Sequence, residues 1–393
     1  MILRENGLNI KMNKTVLITG GAGFIGKHLA LRLIKEGHKV RILDNFSEQV
    51  HLNDGLPNTI TDNAEVIRAD VRDLVQLKKA MKDIDTIVHY AAETGTGQSM
   101  YEIHRYYDVN IQGTSLLLDL IQNDSSFDQI NSLILASSRS VYGEGAYECE
   151  EHGSIFPNER LDQDMAEGSF EHFCPKCQRK LKLIPTKEDA PLKPVSIYAL
   201  SKYIQEQSML IVAKNKGLNA FALRYQNVFG PGQSLSNPYT GILAIFSNLA
   251  RKNQPINIFE DGLESRDFVY IDDVIESTLR CIQYQNSFVG SLNVGTGKAI
   301  SVLEVASSIV DFFQSQSELK ITGDYRRGDI RHNIADMTAS KKILNYVPKT
   351  LFKDGLSAFL QWTLEEPAGD SKDYTGSLEE LKKRNLLLKT KKQ

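Results

Sequence analysis

The sequence predicts an α/β protein built on a doubly wound parallel sheet. Over the first 140 residues, short apolar segments rich in β-branched side chains alternate with segments of helical periodicity. This alternation is typical of a parallel sheet that is covered by helices on both faces. Two further features favour the same fold class: a glycine-rich turn follows the first apolar segment, and an aspartate ends the second.

Strands and helices can be placed in order along the chain. Residues 15–19 form an apolar run that stops at glycines, as a buried parallel strand does. Ile25, Leu29 and Leu33 recur every four residues and predict a helix, with Gly37 at its carboxyl end. The same patterns predict strands over 40–43, 65–69, 85–89, 132–137 and 220–224, and a helix over 196–215.

The composition limits the class of protein. The 393 residues carry 46 Lys and Arg against 49 Asp and Glu, and 41% are hydrophobic, which excludes a mainly disordered chain. Because there is no basic excess and no apolar run of ~18 residues, we expect neither a nucleic-acid nor a membrane partner. Four cysteines are too few for a disulfide scaffold. Residues 1–12 have no apolar core, so we expect a short leader without an export signal and a cytoplasmic protein.

A glycine pattern predicts where a dinucleotide binds. Gly20, Gly23 and Gly26 lie between the first strand and the first helix. Glycine at these positions permits a tight turn, close approach of a pyrophosphate to the backbone, and close packing of the helix on the strand. Free N–H groups at the amino end of the helix then suit the diphosphate. In this context the pattern predicts a Rossmann-type dinucleotide site.

Residues at the ends of later strands predict which dinucleotide binds. Asp44 ends the second strand, where a carboxylate accepts hydrogen bonds from ribose hydroxyls and repels the 2′-phosphate of NADP. NAD is therefore the predicted cofactor. We expect Asp70 and Val71 at the adenine, and Ala91 and Ala92 leave room for the cofactor after the fourth strand.

A Tyr-x-x-x-Lys pair predicts the base. Tyr198 and Lys202 share one face of the helix over 196–215. A free phenol has a pKa near ~10, and a nearby ammonium group lowers it. The pair then becomes a competent base for a sugar hydroxyl, with NAD accepting hydride. The residues predicted to contact NAD are Gly20, Gly23, Phe24, Ile25, Gly26, Asp44, Asn45, Asp70, Val71, Ala91, Ala92, Tyr198 and Lys202.

Over residues 13–365 the chain resembles extended short-chain dehydrogenases/reductases of the nucleotide-sugar epimerase/dehydratase family. The strand ending Ser137-Ser138-Arg139 and the Tyr198–Lys202 pair carry the resemblance. It implies that Ser138, Tyr198 and Lys202 are catalytic and that the substrate is a nucleotide-diphosphate sugar. It also implies a homodimer formed through a helix bundle that includes the helix of Tyr198.

Later segments resemble the parts of this family that bind the substrate. The segments 223–231, 266–269 and 326–329 resemble those that hold the sugar nucleotide, and forked guanidinium groups suit phosphate oxygens. Residues 91–100 lie where the family contacts the sugar. The residues predicted to bind the substrate are Glu93, Thr94, Ser138, Arg139, Asn227, Arg266 and Arg326.

The residues after Ser138 favour one reaction of this family. Dehydratases of the family carry an Asp-Glu pair there, whereas this chain has Arg139 and Ser140, which cannot do that acid–base work. The sequence therefore favours 4-epimerisation through a 4-keto sugar. Three alternatives stay open: a 4-keto-sugar reductase that uses NADH or NADPH, a non-catalytic NAD-binding module, and a structural subunit of a sugar-assembly complex.

A long insertion predicts a metal site. Cys149, His152, Cys174 and Cys177 form two pairs, each with a two-residue spacer, which suits a structural tetrahedral Zn²⁺. Unliganded reduced thiols and a redox pair are the alternatives. Cys281 lies in an apolar helical stretch and is expected in the core.

These features divide the chain into parts. We expect a leader over 1–12, an NAD-binding domain over 13–225 with the zinc-binding insertion at 144–190, and a smaller, mainly substrate-binding lobe over 226–365. The remaining residues, 366–393, form a basic tail, which we expect to be solvated or loosely docked.

Overall fold

A computed structural model describes residues 14–51, 55–237, 239, 241–368 and 371–391, and the leader predicted over 1–12 lies outside them. The strands, in chain order, are β1 (Thr15–Thr19), β2 (Lys39–Asp44), β3 (Ala64–Arg68), β4 (Thr86–His89), β5 (Ser132–Ser138), β6 (Tyr147–Cys149), β7 (Gly153–Ile155), β8 (Lys182–Leu183), β9 (Asn219–Tyr225), β10 (Asn227–Phe229), β11 (Ile256–Ile258), β12 (Ser265–Arg266), β13 (Phe268–Tyr270), β14 (Val289–Val294), β15 (Ile300–Ser301), β16 (Leu319–Ile321), β17 (Tyr325–Arg326), β18 (His332–Asn333) and β19 (Leu387–Leu388).

Helices separate most of these strands. They are α1 (Phe24–Lys35), α2 (Asn58–Thr61), α3 (Leu74–Met81), α4 (Thr96–Ser99), α5 (Ile103–Tyr106), α6 (Gly113–Asn123), α7 (Asp162–Ala166), α8 (Ile197–Lys216), α9 (Ile242–Arg251), α10 (Ile271–Ile282), α11 (Val302–Phe313), α12 (Thr338–Leu344), α13 (Phe352–Glu365) and α14 (Ser371–Lys383). None of the helices in the described part of the chain has the length and apolar character that crossing a membrane requires.

Seven strands form one parallel sheet, in the order β14-β9-β5-β4-β1-β2-β3. Thr19 of β1 pairs with Leu43 on one side and His89 on the other, so the carboxyl ends of these strands meet at one edge. The strand order reverses between β1 and β4, and doubly wound sheets bind ligands at this switch point. The predicted α/β class is confirmed.

Two apolar layers cover the sheet. On one face Leu29 and Leu33 of α1, both fully buried, pack with side chains of α10 and α12. On the other face Leu77 of α3 and Met209 of α8 belong to a second buried cluster. Because the strands are apolar on both sides, they read in sequence as continuous hydrophobic runs. Cys281 is buried in α10, as predicted.

The division of the chain differs from the sequence prediction in one respect. Strand β14, at the edge of the main sheet, comes from residues 289–294, inside the range expected for the substrate lobe. Helix α10, which packs on the same sheet, also comes from that range. The lobe itself has small sheets and a separate core that includes side chains of α9, α11 and α13. The two parts therefore interleave in sequence.

The insertion folds as a small unit joined to the lobe by buried ion pairs. Its strands pair in the order β7-β6-β8. Arg331 of the lobe is fully buried and forms ion pairs with Glu171 of the insertion at 2.6 Å and Glu260 at 2.9 Å. Arg160 of the insertion pairs with the same Glu260 at 2.8 Å. The insertion is thus fixed to the lobe by shared charges.

Candidate active site

The residues predicted to contact cofactor and substrate line one cavity of about 630 Å³. It lies at the carboxyl edge of the main sheet, between the sheet and the lobe. Ser138, Tyr198 and Lys202 line it, and so do Arg266 and Arg326. Residues distant in sequence thus meet at the switch point of the sheet, while the role of each stays a prediction.

The turn between β1 and α1 leaves no room for side chains. Gly20 has a φ of +69°, and a Cβ there would lie 2.6 Å from the Ala91 nitrogen. A Cβ on Gly26 would lie 2.5 Å from the Gly20 carbonyl oxygen. Helix α1 begins at Phe24, directly after the turn, and its amino end lines the cavity. This cradle of backbone fits a dinucleotide diphosphate, so the residues present are compatible with NAD.

Carboxylates lie at the ends of the next two strands. Asp44 is buried and accepts a hydrogen bond from the Ala22 N–H at 2.9 Å, which ties the end of β2 to the glycine turn. Asp70 accepts from Asn45 Nδ2 at 3.0 Å. Hydrogen bonds from Arg72 lower the pKa of Asp70 to about 2, so this carboxylate is charged at neutral pH.

The three predicted catalytic side chains form one cluster. Helix α8 begins after Ser196, whose hydroxyl accepts a hydrogen bond from the Ala199 N–H at 3.1 Å. This cap places Tyr198 in the first turn and Lys202 one turn later, and Lys202 Nζ lies 6.0 Å from the centre of the Tyr198 ring. Ser138, at the end of β5, lies close enough to the Tyr198 phenol to lower its pKa.

The electrostatics of Tyr198 differ from the sequence prediction. Burial raises the pKa of the Tyr198 phenol, and the neighbouring Ser138 hydroxyl and the charge of Arg139 oppose that rise. Lys202 is not among the groups that lower it, and burial lowers the pKa of Lys202 itself to about 7. Arg139 therefore supplies a positive charge that acts on the phenol, and the role of Lys202 as the cation beside it stays a prediction.

Arg139 lies between the catalytic cluster and the predicted diphosphate clamp. Its Nε donates to Asn227 Oδ1 at 2.7 Å. Burial and the neighbouring Arg266 lower the pKa of Arg139 to about 9, with Asp329 opposing the shift. The guanidinium is therefore still charged at neutral pH, close enough to Tyr198 to act on its ionisation.

The predicted clamp arginines differ in what they can still bind. Both terminal nitrogens of Arg266 donate to protein acceptors, among them Asp329 Oδ1 at 2.9 Å. Arg326 lies over the Phe259 ring at 5.0 Å, and its buried Nε has no acceptor among the described residues. Burial raises the pKa of Asp329, but Arg266 and Arg326 outweigh it and lower the value to about 2. Arg326 thus offers an unused donor that suits a phosphate oxygen.

Asn110 is a site residue that the sequence prediction missed. It lies in a π-helical turn, Tyr107–Gln112, and is fully buried. Its Nδ2 donates to the Glu93 carbonyl at 3.1 Å and to Ser201 Oγ at 3.0 Å, and its Oδ1 accepts from the Glu93 N–H at 2.7 Å. Ser201 in turn donates to the Tyr198 carbonyl. A polar residue amid apolar helical periodicity was the available signal, and π-turns are frequent at functional sites.

The predicted sugar-contacting residues lie on a braced segment. Glu93 Oε2 accepts from Arg105 at 2.9 Å. The Tyr106 hydroxyl donates to the Thr94 carbonyl at 2.6 Å, and its ring meets the Tyr198 ring edge to face at 6.5 Å. The Glu93 carboxylate is therefore already paired, and this segment is fixed relative to Tyr198.

The four predicted metal ligands lie together in the insertion, away from this cavity. Their ligand atoms are all within 4.8 Å of one another. His152 Nδ1 is 3.6 Å from Cys149 Sγ and 3.5 Å from Cys174 Sγ, and Cys149 Sγ is 3.6 Å from Cys177 Sγ. Cys149 and Cys174 are buried, so the cluster is closed rather than open to substrate.

The fold and the site define a dinucleotide-dependent enzyme, and comparison with known proteins gives its family. The sequence profile of the NAD dependent epimerase/dehydratase family matches residues 16–160 and 168–295. A dTDP-L-rhamnose 4-epimerase of Burkholderia thailandensis is 34% identical over 356 residues, which are 90% of this chain and 96% of that protein.

Solved structures show the same fold. A UDP-N-acetylglucosamine 4-epimerase from Methanobrevibacter ruminantium, in complex with UDP-N-acetylmuramic acid, superposes with a TM-score of 0.74 at 28% identity, over 91% of this chain and all of that one. MoeE5 in complex with UDP-glucuronic acid and NAD gives 0.71 at 26% identity, over 90% of this chain and all of that one.

The chain therefore belongs to the NAD-dependent epimerase/dehydratase family. The family and enzyme class predicted from the sequence are confirmed, and the protein is an NAD-dependent enzyme of the epimerase class.

Proposed function

We propose that the protein is an NAD-dependent nucleotide-sugar 4-epimerase. The observation that carries this proposal is the cluster of Ser138, Tyr198 and Lys202 beside a glycine cradle, without acidic residues at positions 139 and 140. Acid–base groups for removing water from the sugar are thus lacking directly after Ser138. The cluster suits removal and return of a proton at a single hydroxyl.

The chain's own residues would handle the proton. Tyr198 takes the proton of the C4 hydroxyl as the sugar becomes a 4-keto sugar, and returns it when the opposite configuration forms. Ser138 lies beside the phenol, and both Ser138 and the charge of Arg139 favour the phenolate. NAD, when bound against the glycine turn, supplies the acceptor and donor of hydride that a reversible oxidation requires.

The remaining cavity residues would hold the substrate in place while its sugar turns. The buried Nε of Arg326 has no acceptor among the residues that the structure describes, and Arg139 and Arg266 add positive charge nearby. A diphosphate anchored there leaves the sugar free to present either face to the cofactor. Epimerisation needs this combination of a fixed diphosphate and a mobile sugar.

For the substrate we propose dTDP-L-rhamnose. Residues 91–100, the Tyr225-Gln226-Asn227 segment and the cysteine insertion resemble dTDP-L-rhamnose 4-epimerases, and the 34% identity to the Burkholderia protein supports the same choice. A UDP-hexose is the second candidate, because the structural relatives carry UDP-sugars. An NAD(P)H-dependent 4-keto-sugar reductase is the alternative reaction.

The proposal is tested by NMR of purified protein incubated with dTDP-L-rhamnose and no added NAD. We expect a second set of anomeric signals from the 6-deoxy-L-talose epimer, and we expect the Tyr198→Phe variant to lose at least ~10²-fold in rate. If the protein converts a UDP-hexose but not dTDP-L-rhamnose, the substrate is the UDP-hexose. Turnover of a 4-keto sugar only, with consumption of added NADH or NADPH, would contradict epimerisation.

We also propose that Cys149, His152, Cys174 and Cys177 bind a structural Zn²⁺. With Zn–S near ~2.3 Å and Zn–N near ~2.0 Å, a tetrahedral site has edges of roughly 3.5–3.8 Å. The three distances between ligand atoms, 3.5, 3.6 and 3.6 Å, lie in or close to this range. Zinc would hold together an insertion with only a few short strands of its own.

Metal analysis of the purified protein tests the zinc site. We expect about one zinc per chain, lost in the Cys174→Ser/Cys177→Ser double variant and kept in the matched control Cys281→Ser, which changes a buried cysteine outside the cluster. A protein free of metal after growth in zinc-containing medium would contradict the proposal.

A further inference from the structure

The C-terminal segment, residues 371–391, packs against the active-site cavity rather than lying loose. Tyr374, Ser377, Leu378 and Leu381 of α14 line the cavity wall. Leu381 is only 4% exposed. The sequence prediction of a solvated or loosely docked tail is therefore corrected, because the apolar side of helix α14 is used for packing.

One side of the segment is held by the sugar-facing part of the NAD-binding domain. Leu381 packs beside Gly97. A Cβ added to Gly97 would lie 3.7 Å from the Leu381 methyl groups, which is an ordinary van der Waals distance. The guanidinium of Arg384 lies over the Tyr101 ring at 4.6 Å. Helix α14 therefore reaches the loop that follows Glu93 and Thr94.

The other side is held by the strand that carries Arg326. Strand β19 pairs antiparallel with β17, so that Arg326 stands opposite Leu387. The Arg327 N–H donates to the Leu386 carbonyl at 3.0 Å, and Leu387 is buried. The backbone of Arg326 is thus fixed by the C-terminal segment, while its side chain lines the cavity.

We infer that residues 371–391 are part of the substrate site. Helix α14 forms the wall over the sugar nucleotide, and β19 positions the arginine that binds its diphosphate. The inference rests on the proposed function, because it takes the ligand to be a nucleoside-diphosphate sugar. We expect NAD binding to be independent of this segment, because the glycine turn and Asp44 belong to β1, α1 and β2.

Calorimetric titration with dTDP and with UDP tests the inference on a variant that ends at Glu366. We expect binding at least tenfold weaker than in the full chain, with an unchanged amount of NAD retained after purification. Affinities within twofold of the full chain would overturn the inference. A parallel loss of NAD would also overturn it, because the segment would then support the whole fold rather than the substrate site.

A pair of point variants keeps the test decisive where the shortened chain does not fold. Leu378→Ser changes a cavity-lining side chain, and Glu379→Gln changes the exposed neighbour on the same helix. We expect the first to weaken nucleotide binding several-fold and the second to leave it unchanged. Equal affinities in both would overturn the inference.

The binding readout separates this inference from the proposed function. If the full chain binds neither nucleotide, the proposed function fails and the inference fails with it. If the full chain binds a nucleotide and the variants bind it equally well, the inference alone fails.

Discussion

Tyr198 lies near two cations that act differently on it. Lys202 is 97% buried and its pKa falls to about 7, whereas Arg139 keeps its charge and opposes the rise that burial causes in the Tyr198 pKa. A guanidinium is suited to this position because its intrinsic pKa is so high that the group stays charged at neutral pH even after burial lowers that pKa. We therefore expect Arg139 to act in the acid–base chemistry as well as in substrate binding.

Replacing this charge should shift the pH dependence of the reaction. In Arg139→Met the Tyr198 pKa rises further, so the phenolate forms only at higher pH and the acidic limb of the kcat profile moves toward higher pH. The measurement is kcat against pH between 5 and 10. Arg41→Gln, which removes a surface partner of Glu65, is the control with an unmoved profile. An unmoved limb in Arg139→Met would contradict the role given to Arg139.

The sequence predicts site residues well where a short motif follows a strand. Gly20, Asp44 and Ser138 each end a strand or follow one, so the topology of a parallel sheet brings them together. Asn110 has no such position and acts only through its contacts with Glu93 and Ser201. The effect of Arg139 on the Tyr198 pKa depends on burial, which spacing along the chain does not reveal.

At the scale of elements, the β1–α1 turn makes the sharpest demand on residue type. In Gly26→Ala the new Cβ would lie 2.5 Å from the Gly20 oxygen and 2.6 Å from the Gly21 Cα, so α1 must move away from the turn. We expect the NAD released on denaturation, measured by chromatography, to fall at least tenfold. Gly376→Ala, with nothing within 4 Å, serves as the control. Full NAD content in Gly26→Ala would show that the cradle tolerates the shift.

The hydrophobic pattern of the sequence is enough to identify some of the strands and helices. The first five strands of the sheet and helix α8 lie within a residue or two of their predicted bounds, because each has a strong apolar period. Strand β14 falls inside the range predicted to be mainly the substrate-binding lobe, since the sheet that a strand joins depends on contacts far along the chain. The tail was misread for the same reason: its partner strand β17 lies about sixty residues earlier.

At the scale of the whole molecule, buried charge joins the insertion to the lobe. In Arg331→Met the carboxylates of Glu171 and Glu260 lose a fully buried partner. Breaking such a pair from one side typically costs about 3–5 kcal/mol, and we expect a loss of that order in urea unfolding. Arg32→Met, at an exposed i,i+4 pair with Glu36, should change stability by less than about 1 kcal/mol. Equal losses in the two variants would contradict this view of the network.

We also expect two chains to associate into a homodimer. The family resemblance implies a homodimer through a helix bundle that includes α8, and Ile211 on α8 is 60% exposed. We expect light scattering to give about twice the mass of one chain, and Ile211→Glu to shift it toward one. A measured mass of one chain for the full-length protein at micromolar concentration would contradict the predicted homodimer.

The interleaving of sheet and lobe bears on how this chain can fold and be recombined. A fragment ending after β9 would leave the apolar side of Phe221 and Leu223 without α10 and β14, and such exposed edges promote aggregation. The ribosome must therefore synthesise residue 294 before β14 can pair with β9 and complete the parallel sheet. Such pairing between distant segments is slow. For the same reason, a chimera that joins two relatives at residue 225 would separate α10 and β14 from the sheet on which they pack. Chimeras should instead be joined at surface loops that keep α10 and β14 with their own sheet.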